Sequence, residues 1–158
     1  MNERPSILNM TVPDFSAEMT GGHGFRLSEH RGKKVVLYFY PKDNTPGCTT
    51  ENIDFSCLKP EFDKAGVALL GISKDPPKKH QGFIAKHELT APLASDAESA
   101  GLSDALGIWG EKQNYGRTYM GMVRTTYLVD AEGRIDQVWN KVRVKDHAQA
   151  VLDAAKAL

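Results

Sequence analysis

The chain has 158 residues and carries 20 Lys plus Arg against 20 Asp plus Glu, so its formal net charge is zero. That balance gives no reason to expect nucleic acid or an anionic membrane as a partner, and two cysteines are too few for a disulfide-stapled secreted mini-domain. Met1-Asn2-Glu3-Arg4-Pro5 leads into no long apolar run, so neither a secretory signal nor a membrane span is expected, and a cytoplasmic location is the default.

The length suits a single domain over 1–158, which would bury roughly 68–70% of the surface its unfolded chain exposes. No repeat, low-complexity tract or long linker divides it. In chain order, residues 25–27 and the apolar run 35–40 read as strands, and 49–64 as an amphipathic helix. Residues 67–73 read as the next strand and 76–89 as a helix entered through Pro76 and Pro77, where a missing N–H costs little. A helix is expected over 98–106. Residues 110–123 are the least regular: Gly110, Gly116 and Gly121 punctuate them, with Tyr115, Tyr119, Met120 and Met122 between. They read as a loop beside a pocket or as a surface excursion over a sheet edge. Strands at 125–129 and 135–139, joined by Asp130-Ala131-Glu132-Gly133, predict a β-hairpin, and 145–158 a closing helix. Parallel βαβ units followed by an antiparallel pair suit an α/β, thioredoxin-like sandwich with a mixed central sheet flanked by helices.

Chemistry concentrates in Pro41-Lys42-Asp43-Asn44-Thr45-Pro46-Gly47-Cys48-Thr49-Thr50-Glu51. A turn-rich loop leaves the strand at Tyr40 and delivers one cysteine to the first turn of a helix, where unpaired N–H groups favour a thiolate and lower its pKa. At about 100° per residue, Cys48, Glu51, Phe55, Leu58, Phe62 and Ala65 share one stripe, and Ile53, Cys57, Glu61 and Lys64 the opposite one. Cys48 therefore faces the core side of the helix mouth. The ordinary alternative is a small buried hydrophobe, as most free cysteines are. Thr45 stands where a Cys-x-x-Cys dithiol oxidoreductase has its first thiol, and a hydroxyl forms no disulfide. One thiolate acting on a small polar substrate is the chemistry left.

The run Pro41-x-x-x-Thr45-x-x-Cys48, with Glu51 after it and Arg124-Thr125-Thr126-Tyr127 downstream, resembles the peroxiredoxin signature. It is most similar to the bacterioferritin-comigratory-protein (PrxQ) subgroup, from about Val12-Pro13-Asp14-Phe15 to the last helix. The resemblance implies a thiol-dependent peroxidase acting on hydrogen peroxide or organic hydroperoxides, in antioxidant defence and redox homeostasis. Cys48 would attack the O–O bond and become a sulfenic acid. Thr45 would hold the peroxide oxygens, Arg124 would stabilise both the thiolate and the leaving oxygen, and Pro41 would keep bulk water out. Glu51 would orient Arg124, or else simply supply favourable charge near a helix N-terminus. The resemblance further implies a thiol reductant such as thioredoxin or a glutathione/glutaredoxin system, a monomer, and no metal, haem or flavin.

The subgroup often carries a resolving cysteine five residues after the first, or on the next helix; here those places hold Ile53 and the run Phe83-Ile84-Ala85. Cys57 remains. In an intact helix it lies about 13.5 Å along the axis from Cys48 and on the opposite face, whereas a disulfide needs Cα atoms within about 7 Å. Pro60 lacks the N–H that would bond Ser56, which is expected to weaken the helix there. Cys57 is thus either the resolving residue after unwinding or a spectator in a one-cysteine cycle. His23, His30, His80, His87 and His147 show no metal-ligand spacing among themselves or with the cysteines. Gly21-Gly22-His23-Gly24 reads as a flexible turn, and Trp109 and Trp139 as packing residues. The rival from another class is a thioredoxin-like holdase or binding module with an incidental cysteine.

Overall fold

The computed structural model describes residues 16–19, 24–30, 32–96, 106, 108–114 and 116–158. Its strands are β1 (Ser16–Met19), β2 (Gly24–Arg26), β3 (Lys34–Phe39), β4 (Val67–Ser73), β5 (Leu93–Ser95), β6 (Trp109–Asn114), β7 (Arg117–Met122), β8 (Thr125–Val129) and β9 (Ile135–Asn140). The helices are α1 (Pro46–Lys64), α2 (Pro77–His87) and α3 (His147–Ala157). A seven-stranded sheet runs in the order β2-β1-β5-β4-β3-β8-β9, and β6 and β7 pair separately. β3 is parallel to β4 and β4 to β5, while β8 is antiparallel to both β3 and β9. This is the mixed sheet of a thioredoxin-like fold.

β3 is buried on both faces, which is why it reads as an unbroken apolar run. Val36 and Tyr38, with Tyr40 just beyond the strand, enter the core shared with Phe55 and Phe62 of α1, Phe83 of α2 and Val151 and Leu152 of α3. Val35, Leu37 and Phe39 enter a second core with Leu70, Ile72, Ile108, Met122 and Tyr127. The three helices among the described residues therefore contribute to one and the same core, and α1 packs against β4 and α3.

Several local expectations change. The segment 110–123 is not an irregular loop: Trp109–Asn114 and Arg117–Met122 pair as the antiparallel strands β6 and β7, with Gly116 between them at φ +79°. Glu111-Lys112-Gln113-Asn114 has no apolar alternation by which to announce a strand. β1 and β5 were not anticipated. Leu27 falls in a 3-10 turn and not in β2, and α3 begins at His147, after Asp146 in the left-handed region at φ 60°. Of the helix expected over 98–106, all but Leu106 lies outside the described residues, as do Gly21, Gly22 and His23. Pro60 lies inside α1, which runs unbroken to Lys64. The Ser56 carbonyl that Pro60 leaves without its helical donor accepts the Thr90 hydroxyl at 3.0 Å instead. Among the described residues no helix is long and apolar enough to cross a membrane.

Candidate active site

β3 ends at Phe39, and the chain turns at half-buried Pro41 into a loop that closes on the N-terminus of α1. Pro46 takes the first helical position, where no intrahelical partner awaits its N–H. Thr45 is the N-cap, with extended backbone at φ −86° and ψ 151°. Its side chain does not cap the helix: the hydroxyl donates to the Lys42 carbonyl at 2.8 Å and keeps lone pairs for an incoming donor. The first helical bond runs from Thr49 N to Thr45 O at 2.8 Å. Cys48 immediately precedes it, and its own N–H lies in the first turn, where helix geometry provides no internal acceptor. The residue is 0% exposed.

Arg124 sits in the link between β7 and β8, with its carbonyl held by Val142 N at 3.1 Å. Its guanidinium reaches back over the mouth of α1. Nη2 donates to Cys48 Sγ at 3.5 Å and Nη1 to Glu51 Oε1 at 2.6 Å. A Cβ at Gly47 would stand 3.1 Å from that Nη2, so the glycine gives the guanidinium its room. Glu51, one turn beyond Cys48, is 1% exposed, and its Oε2 accepts no hydrogen bond among the described residues. Burial pushes this carboxyl up to about 7 against the opposing pull of Arg124. On Arg124 itself burial works to lower the pKa, but the charges of Glu51 and Cys48 outweigh it and raise the group.

The backbone of Cys48 is anchored from below. Asn52 Nδ2 donates to the Cys48 carbonyl at 2.9 Å, and Tyr38 Oη donates to Asn52 Oδ1 at 2.8 Å. Tyr38 lies opposite Gly71 in the β3–β4 register, and a Cβ on Gly71 would fall 2.6 Å from its ring. A missing side chain in β4 thus fixes, through Tyr38 and Asn52, the height of the cysteine above the sheet. His147, at the start of α3, packs edge-on against Phe55 and Trp139 and exchanges a 2.8 Å hydrogen bond with Thr126. Burial, then Arg124, lowers it to about 4, so it adds no cation beside the guanidinium at neutral pH.

The structure therefore brings Cys48 and Glu51 each into contact with Arg124 and puts Thr45 and Pro41 on the loop leading to them. Cys57 is exposed, nine residues further along the unbroken helix. Asn52 and Tyr38 escaped the reading of the sequence, as did the room that Gly47 leaves for the guanidinium. Asn52, four residues after Cys48, carries the one signal that would have exposed it: a polar residue on the stripe that faces the core.

A thioredoxin-like fold with a hydroxyl in place of the first thiol of a dithiol pair, and a guanidinium on the thiol that remains, defines a thiol peroxidase. The comparisons make the class specific. The AhpC/TSA family model matches residues 8–138. The peroxiredoxin Bcp of Xanthomonas campestris is 48% identical over 144 residues, covering 91% of this chain and 89% of the relative. That of Bacillus subtilis is 43% identical over 151 residues, covering 94% of each. The solved X. campestris bacterioferritin comigratory protein, described for its alkyl peroxide reduction activity, superposes with a TM-score of 0.84 at 44% identity, over 98% of this chain and 96% of that one. The chain belongs to the AhpC/TSA family, among its Bcp peroxiredoxins.

Proposed function

We propose that this protein, acting as a single domain, reduces hydrogen peroxide and small organic hydroperoxides, alkyl hydroperoxides included, with Cys48 as the nucleophile. The observation that carries the reading is the buried Cys48 sulfur at 3.5 Å from Arg124 Nη2 at a helix N-terminus. The thiolate attacks the terminal oxygen of ROOH along the O–O axis. The S–O bond forms as the O–O bond breaks, and the electron pair leaves on RO⁻, which takes a proton to become ROH. Thr45 Oγ1, its own proton engaged by Lys42, accepts the O–H of the attacked oxygen and orients it. Arg124 and the first-turn N–H groups stabilise the charge that grows on the departing oxygen, a kind of contact worth about 2.7–4 kcal/mol each. Glu51 holds the guanidinium in place, and Pro41 screens the loop from bulk water.

The sulfenic acid is returned to the thiol by two equivalents of thiol: the first displaces water and leaves a mixed disulfide, the second releases the free Cys48. Thioredoxin or a glutathione/glutaredoxin system in the cytoplasm fits this step. The exposed position of Cys57, on the far face of a continuous helix, favours an external thiol over an internal disulfide, and a monomer suffices for the cycle. Cys48→Ser tests the first claim: peroxide consumption should vanish, and a variant that still turns over peroxide would overturn it. Intact mass after one equivalent of peroxide tests the second. Gain of one oxygen supports the one-cysteine cycle, whereas loss of two hydrogens would assign the resolving role to Cys57.

A further inference from the structure

Behind the loop that carries Pro41 and Thr45 lies a buried polar cluster that the chemistry above does not use. His80, in the first turn of α2, is 0% exposed. Its Nδ1 is 2.7 Å from Asp43 Oδ2, and its Nε2 is 3.1 Å from the Ala94 carbonyl. Asp43 is 2% exposed; its Oδ1 accepts the Tyr40 hydroxyl at 2.6 Å, and its backbone N–H donates to Asp75 Oδ2 at 2.8 Å. The remaining neighbours are oxygens already committed. Ser73 Oγ, 3.5 Å from Nε2, donates to Asp75 Oδ2 at 2.8 Å, and Lys79 Nζ pairs with Asp75 Oδ1 at 3.1 Å.

The donor–acceptor inventory decides what this cluster is. With Asp43 as the carboxylate, both it and the Ala94 carbonyl are acceptors only, so both ring nitrogens of His80 donate, and only the imidazolium has two N–H groups. Burial pushes the Tyr40 hydroxyl well above its ordinary range, with Asp43 adding to the effect, so Tyr40 stays a donor and does not compete for the role of acid. Asp43, Asp75 and His80 also offer ligand atoms within 4.8 Å of one another, close enough for a metal ion. Those atoms, however, are spent on each other, on Ser73 and on Lys79, and a cation there would have to displace the imidazolium proton.

We infer that His80 and Asp43 form a buried imidazolium–carboxylate pair that clamps the loop bearing Pro41 and Thr45 to α2, making both of them positioning residues for peroxide. The pair touches neither Cys48 nor Arg124 directly. It acts two residues before Thr45, on the backbone that sets where the Thr45 oxygen stands relative to the sulfur, and misplacement of that order costs rate steeply. The groups facing His80 are Asp43 from the loop, Tyr40 beyond β3, Ser73 and Asp75 from the end of β4, Lys79 through Asp75, and the Ala94 carbonyl of β5. This inference rests on the peroxidase reading for its kinetic arm alone.

Two experiments test it. Long-range ¹H–¹⁵N correlation on histidine-labelled wild type should show both His80 ring nitrogens protonated at neutral pH; a ring with one bare nitrogen overturns the pair whatever the kinetics. His80→Gln, Asp43→Asn and the double variant are then compared by peroxide oxidation of Cys48 and by its alkylation with iodoacetamide, which needs no oriented peroxide. Oxidation should slow by about tenfold or more in each single variant, with alkylation within about twofold of wild type and the double variant no slower than the worse single. Oxidation within about twofold of wild type, or alkylation falling in parallel with it, would overturn the positioning role. Should the variants fail to fold, the wild-type spectrum still decides the protonation state. Failure of the peroxidase reading would show differently, as wild type that alkylates but consumes no peroxide.

Discussion

The loop over residues 41–47 has two sides, and they are built on opposite principles. At its back, Asp43, His80, Tyr40, Ser73 and Asp75 form a closed network in which each of the polar groups described has a partner. At its front, the Cys48 sulfur has a single guanidinium donor, the Thr45 hydroxyl oxygen keeps free lone pairs, and Glu51 Oε2 is buried with no partner among the described residues. A buried polar group without a partner is normally a liability of about 1–3 kcal/mol. On the proposed mechanism, the saturated side would hold the loop in place so that the unsaturated side keeps its open valences toward an incoming pair of oxygens.

The largest break in that contrast is expected at Arg124, the one group that serves the sulfur and the carboxylate together. Arg124→Met removes the charge yet keeps a long apolar stem for packing. Cys48 oxidation should slow by about 10²–10³-fold, the loss typical of one oxyanion-type contact. Arg124→Lys should recover little of it, because an ammonium lacks the fork that spans Sγ and Oε1 at once. Stopped-flow oxidation rates measure both, and a lysine variant as fast as wild type would mean that charge alone, without geometry, is enough.

The same contrast explains which parts of the structure could be read from the chain. β3 declared itself because a strand covered on both faces is apolar at every position. The inward stripe of α1 was legible from Cys48, Glu51, Phe55 and Phe62. Asn52 was not, since a lone asparagine on a helix reads as surface until the Tyr38 hydroxyl is known to lie beneath it. Arg124 is 76 residues from Cys48, and no local periodicity connects them; only the likeness to a family signature did. Asp43 and His80, 37 residues apart, had no such help. β1 and β5, of four and three residues, take their register from neighbouring strands more than from their own pattern. The Thr90 hydroxyl that takes up the Ser56 carbonyl left by Pro60 comes from a distant loop and could not be read from the helix itself.

A smaller effect, with a pH signature, is expected at Glu51. Burial holds its carboxyl up at about 7 in the folded chain against an ordinary value of 4.5, so between those values the folded state keeps a proton that the unfolded state has lost. The stability linked to that proton is fully present below about 4.5 and is lost as pH rises through about 7. Wild type should therefore lose stability relative to Glu51→Gln between about pH 4.5 and 7, by a slope of at most about 1.4 kcal/mol per pH unit, and change little above that. Activity runs the other way. Only the ionised carboxylate adds an opposite charge to its hydrogen bond with Arg124, so wild-type oxidation should gain on the Gln variant through about pH 7 and end about tenfold faster. Parallel denaturant titrations and oxidation rates across this range separate the two. Identical pH profiles for both proteins would remove Glu51 as the tether of Arg124.

The smallest expected effect discriminates most finely between the two sides of the loop. Gly47 lies in the first turn of α1 with no positive φ, so alanine is compatible with its backbone and should lower the entropy of the unfolded chain, a gain of about 0.4–1 kcal/mol. The new methyl would stand 3.1 Å from Arg124 Nη2, tighter than ordinary contact, and the guanidinium would have to withdraw by a few tenths of an ångström. It cannot do so while keeping both the 3.5 Å contact to Cys48 and the 2.6 Å bond to Glu51. Gly47→Ala should therefore melt slightly higher than wild type and oxidise several-fold more slowly, which thermal melts and stopped-flow traces on one preparation would show. The two signs must be opposite. A variant both more stable and equally fast would mean that the front of the loop has slack, and that the room left beside the sulfur reflects helix entry and not the placement of Arg124.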